Sequence, residues 1–182
     1  MPSALIPLAD GVEEMEAVII IDVLRRAEWK VTTTGLQSGP VTASRGVRLL
    51  PDTTWADVEN QSFDWIILPG GLPGSQKLIA DSRVIDTLQR HSRANGWIGA
   101  ICAAPTVLHA AGLLRNRTVT SHPSVAARLG DAHRNNHRVV EDGKLITSQG
   151  PGTSLEFALA IVAKMQGAEK ASELAAAMVC AK

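Results

Sequence analysis

Short, wholly apolar runs recur along this chain, each closed by a turn and followed by a stretch with helical spacing. No other feature restricts the fold as much. Ala4–Ala9 and Trp65–Pro69 are apolar throughout, as are most positions of Trp97–Ile101. Such runs suit strands covered on both faces, because a half-exposed strand alternates apolar with polar residues. Val31–Leu36, rich in β-branched residues, reads as another strand. Between these runs lie helical patterns at about Glu13–Glu28, Asp81–Asn95, Ala103–Leu114 and Thr153–Met165, with a last Ala-rich helix at Glu169–Val179. Along the first of these, Met15, Val18, Ile19, Val23 and Leu24 supply the apolar positions.

Capping boxes are expected at Asp10 with Glu13 and at Thr153 with Glu156. Gly96 and Gly167 are expected to end helices. Thr118–Ser121 reads as a short strand, Val139–Ser148 as a hairpin turning at Asp142-Gly143, and Gln37–Asp52 as short strands. The alternation predicts βαβ crossovers in an α/β fold, with a mostly parallel sheet and helices on both faces. The 182 residues show no repeat, linker or low-complexity tract, so one domain over 1–182 is expected.

Charge and cysteine usage narrow the class. Eighteen basic and 18 acidic residues give a formal net charge of +0, which argues against a nucleic-acid partner. Two cysteines, Cys102 and Cys180, are too few for a disulfide scaffold or a Cys-rich zinc module. No run is long enough to cross a bilayer, and the apolar N-terminal stretch lacks the basic flank and length of a signal peptide. The expectation is a cytoplasmic protein with reduced thiols and no membrane partner.

In such folds ligands bind beyond the carboxyl ends of the strands. Cys102 stands there, directly after a strand and before a helix, in Gly99-Ala100-Ile101-Cys102-Ala103-Ala104-Pro105. Small residues two before and two after permit a tight turn like a nucleophile elbow, with alanines in place of the usual glycines. A cysteine at this point is either a small core residue or a reactive thiol. The elbow favours the thiol, with a pKa lowered by the helix N-terminus. Cys180, in the Ala-rich C-terminal helix, reads as structural.

Glu13, Glu14 and Glu16 open the first helix beyond the first strand. Most such charges face water, but Glu16 runs directly into the apolar Ala17–Ile21. A carboxyl buried there keeps its proton more readily and, beside Cys102, would titrate with it as a coupled pair. His122 ends its own strand and is either a capping histidine or a third member of the site. Gly70-Gly71 forms either an ordinary tight turn or a set of free N–H groups for an oxyanion. It lacks the Lys-Ser/Thr of a phosphate loop and the spacing of a dinucleotide fingerprint, which excludes a nucleotide cofactor. No His, Cys and carboxylate spacing suggests a metal.

Together these residues resemble the ThiJ/PfpI superfamily, in the subgroup that takes in DJ-1, ThiJ and YajL. The matching segments are Glu13-Glu14-Met15-Glu16-Ala17-Val18, Ser44-Arg45-Gly46-Val47, Leu68-Pro69-Gly70-Gly71, Ala100-Ile101-Cys102-Ala103-Ala104-Pro105 and Thr147–Ser154. The resemblance implies a flavodoxin-like sandwich, a homodimer, Cys102 as the reactive cysteine and Glu16 as its protonated partner. It implies an oxyanion or sulfinate pocket from the N–H groups of Gly71 and Ala103, a nearby His122, Arg26 and Arg45 at the dimer-side edge, and Pro151 at the rim or from the partner. Protease-like and amidotransferase-like branches carry His directly after the cysteine; Ala103 here speaks against both activities. The activity implied is glutathione-independent, cofactor-free glyoxalase (glyoxalase III) or deglycase chemistry on dicarbonyls such as methylglyoxal. The alternative is an oxidative-stress sensor or chaperone acting through Cys102 sulfinic acid.

Overall fold

The apolar runs pair as parallel strands, and their two faces bury two separate cores. A computed structural model describes residues 1–180. In chain order it contains β1 (Ser3–Leu8), α1 (Glu14–Arg26), β2 (Lys30–Gly35), β3 (Val41–Thr42), β4 (Arg48–Leu49), β5 (Thr53–Thr54), α2 (Trp55–Val58), β6 (Trp65–Leu68), α3 (Leu72–Ala80), α4 (Ser82–Arg93) and β7 (Trp97–Ile101). There follow α5 (Pro105–Ala110), β8 (Thr118–Val119), a 3-10 helix (Pro123–Arg128), β9 (His133–Arg134), β10 (Val139–Asp142), β11 (Leu145–Ser148), a 3-10 turn (Pro151–Thr153), α6 (Ser154–Gln166) and α7 (Ala168–Ala177).

Seven strands form the central sheet in the order β10-β11-β7-β6-β1-β2-β5. All neighbours are parallel except the β10–β11 hairpin. Along β1, Ala4, Ile6 and Leu8 enter one core while Leu5 enters the other. Along β6, Trp65 and Ile67 alternate in the same way with Ile66 and Leu68. Period-two alternation with both faces apolar is what a doubly covered sheet requires. One face packs on α1, α6 and α7, the other on α3, α4 and α5. This is the flavodoxin-like sandwich. Among the described residues no helix is long and apolar enough to cross a membrane.

Several local expectations change. The apolar face of α1 is Ala17, Ile20, Val23 and Leu24, whereas Met15 and Val18 are 54% and 48% exposed. Those two share a stripe with Asp22 and Arg26 at helical spacing, which turns them from the core. Asp10 does not form a capping box with Glu13: its carboxylate accepts the Thr42 N–H at 2.9 Å, and Glu13 itself caps α1. Thr153 and Glu156 form no box either. The Thr153 hydroxyl turns back to Gly150 and Ser148, and Glu156 pairs with Arg138. The helix before Gly96 is capped at Ala94, and Asn95 takes the left-handed conformation (φ 60°) expected of the glycine. The helix after Cys102 spans only Pro105–Ala110.

Candidate active site

Parallel register brings three turns to one edge of the sheet. Leu68 pairs with Ala100, and Ile101 with Ser148. The turn after β6, the turn after β7 and the segment after β11 therefore leave the sheet side by side. The turn after β1 joins them when the Glu13 N–H donates to the Gly70 carbonyl at 3.0 Å.

Cys102 sits at φ 63°, left-handed backbone that a residue with a Cβ adopts at a cost. Both its peptide groups are held: its N–H donates to the Ser148 carbonyl at 3.0 Å, and its carbonyl accepts the His122 N–H at 2.9 Å. Such strain persists where the surroundings over-determine it, and here two neighbouring chain segments do so. The elbow expected from the small residues is present, with the thiol raised at its apex.

Glu16 lies in the first turn of α1 and is fully buried. Its Oε2 accepts the Gly70 N–H at 2.6 Å, while Oε1 is buried without an aligned hydrogen-bond partner. Gly70 packs against both the carboxyl and the cysteine. A Cβ on Gly70 would stand 2.6 Å from the Cys102 Cβ and 2.7 Å from Glu16 Oε2, so only glycine admits both. Gly71, at φ 91°, is confined in the same way by Gly11 and Glu13.

The two acids are electrostatically one unit. Burial pushes the Glu16 carboxyl up to about 7, against the opposing pull of the Gly70 N–H and the Cys102 thiol; Glu13 adds to the rise. The thiol is pushed up to about 12, by burial first and then by the Glu16 charge and hydrogen bond, although the N–H groups of Gly71 and Ala103 reach the sulfur and pull the other way. The expectation of a lowered thiol pKa is therefore corrected: the helix N-terminus contributes as expected, but desolvation and a neighbouring carboxylate outweigh it. The pair loses its first proton around neutral pH, and the resulting charge rests on the sulfur only while Glu16 keeps its own proton.

The remaining expected residues fall in different places. Gly70, Gly71 and Ala103 surround the thiol. Pro151 opens the 3-10 turn shortly after Ser148. Arg45 lies on the strap between β3 and β4, and its N–H donates to Glu14 Oε1 at 2.8 Å beside the start of α1. His122 is exposed, and its Nδ1 contacts Ser124 Oγ at 2.7 Å and accepts the Ser124 N–H at 3.2 Å. Its ring thus caps the 3-10 helix, and its tie to Cys102 runs through the backbone. Arg26 does not reach the pair within this chain. It lies ten residues beyond Glu16 on α1, about 15 Å along the axis at 1.5 Å per residue, and pairs with Asp22.

Sequence reasoning passed over Glu14, Ser148 and the capping role of Glu13. Glu14 clasps the strap by accepting from Ser44 Oγ and the Arg45 N–H. The signal lay in the polar residues crowded at strand ends, but their partners are remote in sequence. A cavity of about 730 Å³ lies elsewhere, between the ends of β1 and β2 and the α3–α4 junction, where Asp10, Lys77, Asp81 and Arg83 line it. Neither Cys102 nor Glu16 lines it. Among the described residues no three His, Cys, Asp or Glu side chains gather as a metal site requires.

A strained cysteine elbow joined to a buried glutamate, on a doubly covered parallel sheet, defines a class of α/β proteins with a cysteine at a strand-to-helix turn. Within that class the chain belongs to the DJ-1/PfpI family, which matches it over residues 2–164. It is 47% identical to protein dj-1beta of Drosophila melanogaster over 98% of this chain and 97% of that one. It is 41% identical to the glutathione-independent glyoxalase DJR-1.2 of Caenorhabditis elegans, over 99% and 97%. Protein DJ-1 homolog B of Arabidopsis thaliana is 47% identical, but the chain spans only 41% of its length. The crystal structure of Drosophila DJ-1beta superposes with a TM-score of 0.96 over 100% of this chain and 99% of that one, at 47% identity. Oxidized Toxoplasma gondii DJ-1 does so at 0.96, with 34% identity and full coverage of both chains.

Proposed function

We propose that this protein is a cofactor-independent glyoxalase or deglycase acting on small reactive dicarbonyls, with Cys102 as nucleophile and Glu16 as proton shuttle. The observation that carries the reading is the fully buried Glu16 carboxyl packed together with the strained Cys102 turn around Gly70. A thiolate formed at the expense of a protonated carboxyl leaves the acid poised beside the nucleophile. With methylglyoxal, the sulfur adds to the aldehyde carbon while Glu16 gives its proton to the aldehyde oxygen, which yields a hemithioacetal and leaves Glu16 as a carboxylate. Glu16 takes the proton from that carbon and returns it to the neighbouring one, leaving a thioester. Water then releases lactate and restores the thiol. The N–H groups of Gly71 and Ala103 would stabilise the oxyanion. Arg45 and Pro151 would shape the rim, and His122 would support the elbow through its backbone.

The relative named as a glutathione-independent glyoxalase supports this reading at 41% identity. Lactate formation from methylglyoxal, measured at a known free-thiol content, tests it. Cys102→Ser and Glu16→Gln are each expected to bring turnover to background; unchanged turnover in both overturns the proposal.

A second reading, an oxidant sensor or chaperone, is favoured by the N–H groups that reach the sulfur. The thiolate would reduce peroxide to water, becoming sulfenate, and a second equivalent would give a sulfinate held by those groups and by protonated Glu16. Mass spectrometry after mild peroxide decides it: oxidation at Cys180 but not at Cys102 excludes the sensor. We further propose a homodimer, because Met15 and Val18 leave an exposed apolar stripe on α1 beside the strap that carries Val47, itself exposed.

A further inference from the structure

The pairing of Glu16 with Cys102 does not explain why a second carboxylate, that of Glu13, stands within hydrogen-bond reach of the Glu16 main chain. Glu13 precedes α1 with extended backbone (φ −80°, ψ 115°) and caps it, its Oε2 accepting the Glu16 N–H at 2.8 Å. Its own N–H donates to the Gly70 carbonyl at 3.0 Å, and the Gly70 N–H donates to Glu16 Oε2 at 2.6 Å. The three bonds close a ring: Glu13 fixes the main chain of Glu16 and the peptide of Gly70, and Gly70 fixes the carboxyl of Glu16. Glutamate is not among the favoured capping residues; Ser, Thr or Asn would satisfy the same N–H without charge.

We propose that Glu13 is a positioning residue of the Glu16–Cys102 pair, holding Glu16 by its cap and placing a fixed negative charge beside its carboxyl so that the proton stays on Glu16 and the charge on sulfur. The groups that face the Glu16 carboxyl are the Gly70 N–H from the turn after β6, the Cys102 thiol from the turn after β7, and Glu13 from its own helix start. Glu14, the next charge along, is turned to Ser44 and Arg45 on the strap. Among these only Glu13 adds a charge that favours the protonated carboxyl, and Glu16 responds by a rise to which Glu13 contributes. Removing that charge lets the carboxylate form more easily. The pair then loses its first proton at lower pH, and less of the resulting charge rests on sulfur.

The inference rests on the coupled pair but not on any substrate. Its test is the pH profile of Cys102 alkylation by iodoacetamide, in a Cys180→Ser background, from pH 5 to 9. Glu13→Gln and Glu13→Ser both keep an acceptor for the cap and remove the charge. Each is expected to move the midpoint about half a unit to lower pH and to reduce the plateau rate about threefold, with thermal stability near that of the parent. Glu13→Asp, which keeps charge and cap, is expected to restore the parent profile. Profiles of Glu13→Gln and Glu13→Ser that superimpose on the parent overturn the proposal, and a purely structural cap would show only a lower Tm in Glu13→Ala. Because alkylation needs no dicarbonyl, an absence of glyoxalase turnover would leave this result standing.

Discussion

At the scale of single residues, the site is a matter of one missing Cβ and one buried proton. Gly70→Ala would push a methyl group against the Cys102 Cβ, the Glu16 carboxyl and the Ile101 carbonyl at 2.6–2.8 Å. Two of these are anchored, so the turn itself must shift. We expect a loss of about 1–3 kcal/mol in denaturant unfolding, with slowed alkylation of Cys102. Glu16 makes a second prediction. Its carboxyl is raised from 4.5 to about 7 in the folded protein, so the folded state binds the proton more tightly than the unfolded chain. Its contribution is complete below about pH 4.5 and is lost as the pH rises through about 7. Across that window stability should fall with pH, by an amount on the order of 3 kcal/mol from this group. In Glu16→Gln that component of the slope should vanish, which urea unfolding at pH 5 and pH 8 would measure. An unchanged slope would show that Glu16 is already ionised in the folded state at pH 5.

At the scale of elements, α1 does two jobs at its two ends. Its buried stripe packs on the sheet and on α6, while its first turn carries Glu14 and Glu16 in opposite directions. Glu14 holds the β3–β4 strap over the start of the helix through Ser44 and Arg45. Glu14→Ala should release that strap. Hydrogen exchange of the Arg45 amide should rise at least tenfold, while amides in β1 and β6 keep their protection. These elements also show what a sequence pattern can and cannot carry. Apolar runs such as Trp65–Leu68 were legible as strands because burial on both faces leaves no polar position to confuse the reading. The stripe of α1 was misread at Met15 and Val18 because an apolar side chain on an exposed stripe has the same composition as one in the core. Caps were misread at Asp10 and Thr153 because a short polar residue near a helix start satisfies whichever donor the fold brings to it, and at Gly96 because the neighbouring Asn95 takes the left-handed backbone instead. For Asp10 that donor is Thr42, from a different element.

At the scale of the whole molecule, exposed Met15, Val18 and Val47 lie on the same side as the strap. If that side joins two copies, Val18→Glu should convert a dimer to a monomer in multi-angle light scattering, and a monomeric parent would end the dimer proposal. The sequence by itself determined the alternating order of strands and helices, the position of the cysteine turn at a strand end and, through its resemblance to a family, the identity of Glu16 as the partner. Periodicity and small-residue turns are local properties, so a linear reading recovers them. Only the tertiary structure decided which way the acids at that edge lean. Parallel register brings the ends of β1, β6 and β7 together around Gly70, and burial raises both Glu16 and Cys102. The lowered thiol pKa expected from a helix N-terminus failed for the same reason. The dipole is written into the local chain, but the desolvation and the neighbouring carboxylate that outweigh it exist only once the sheet has formed.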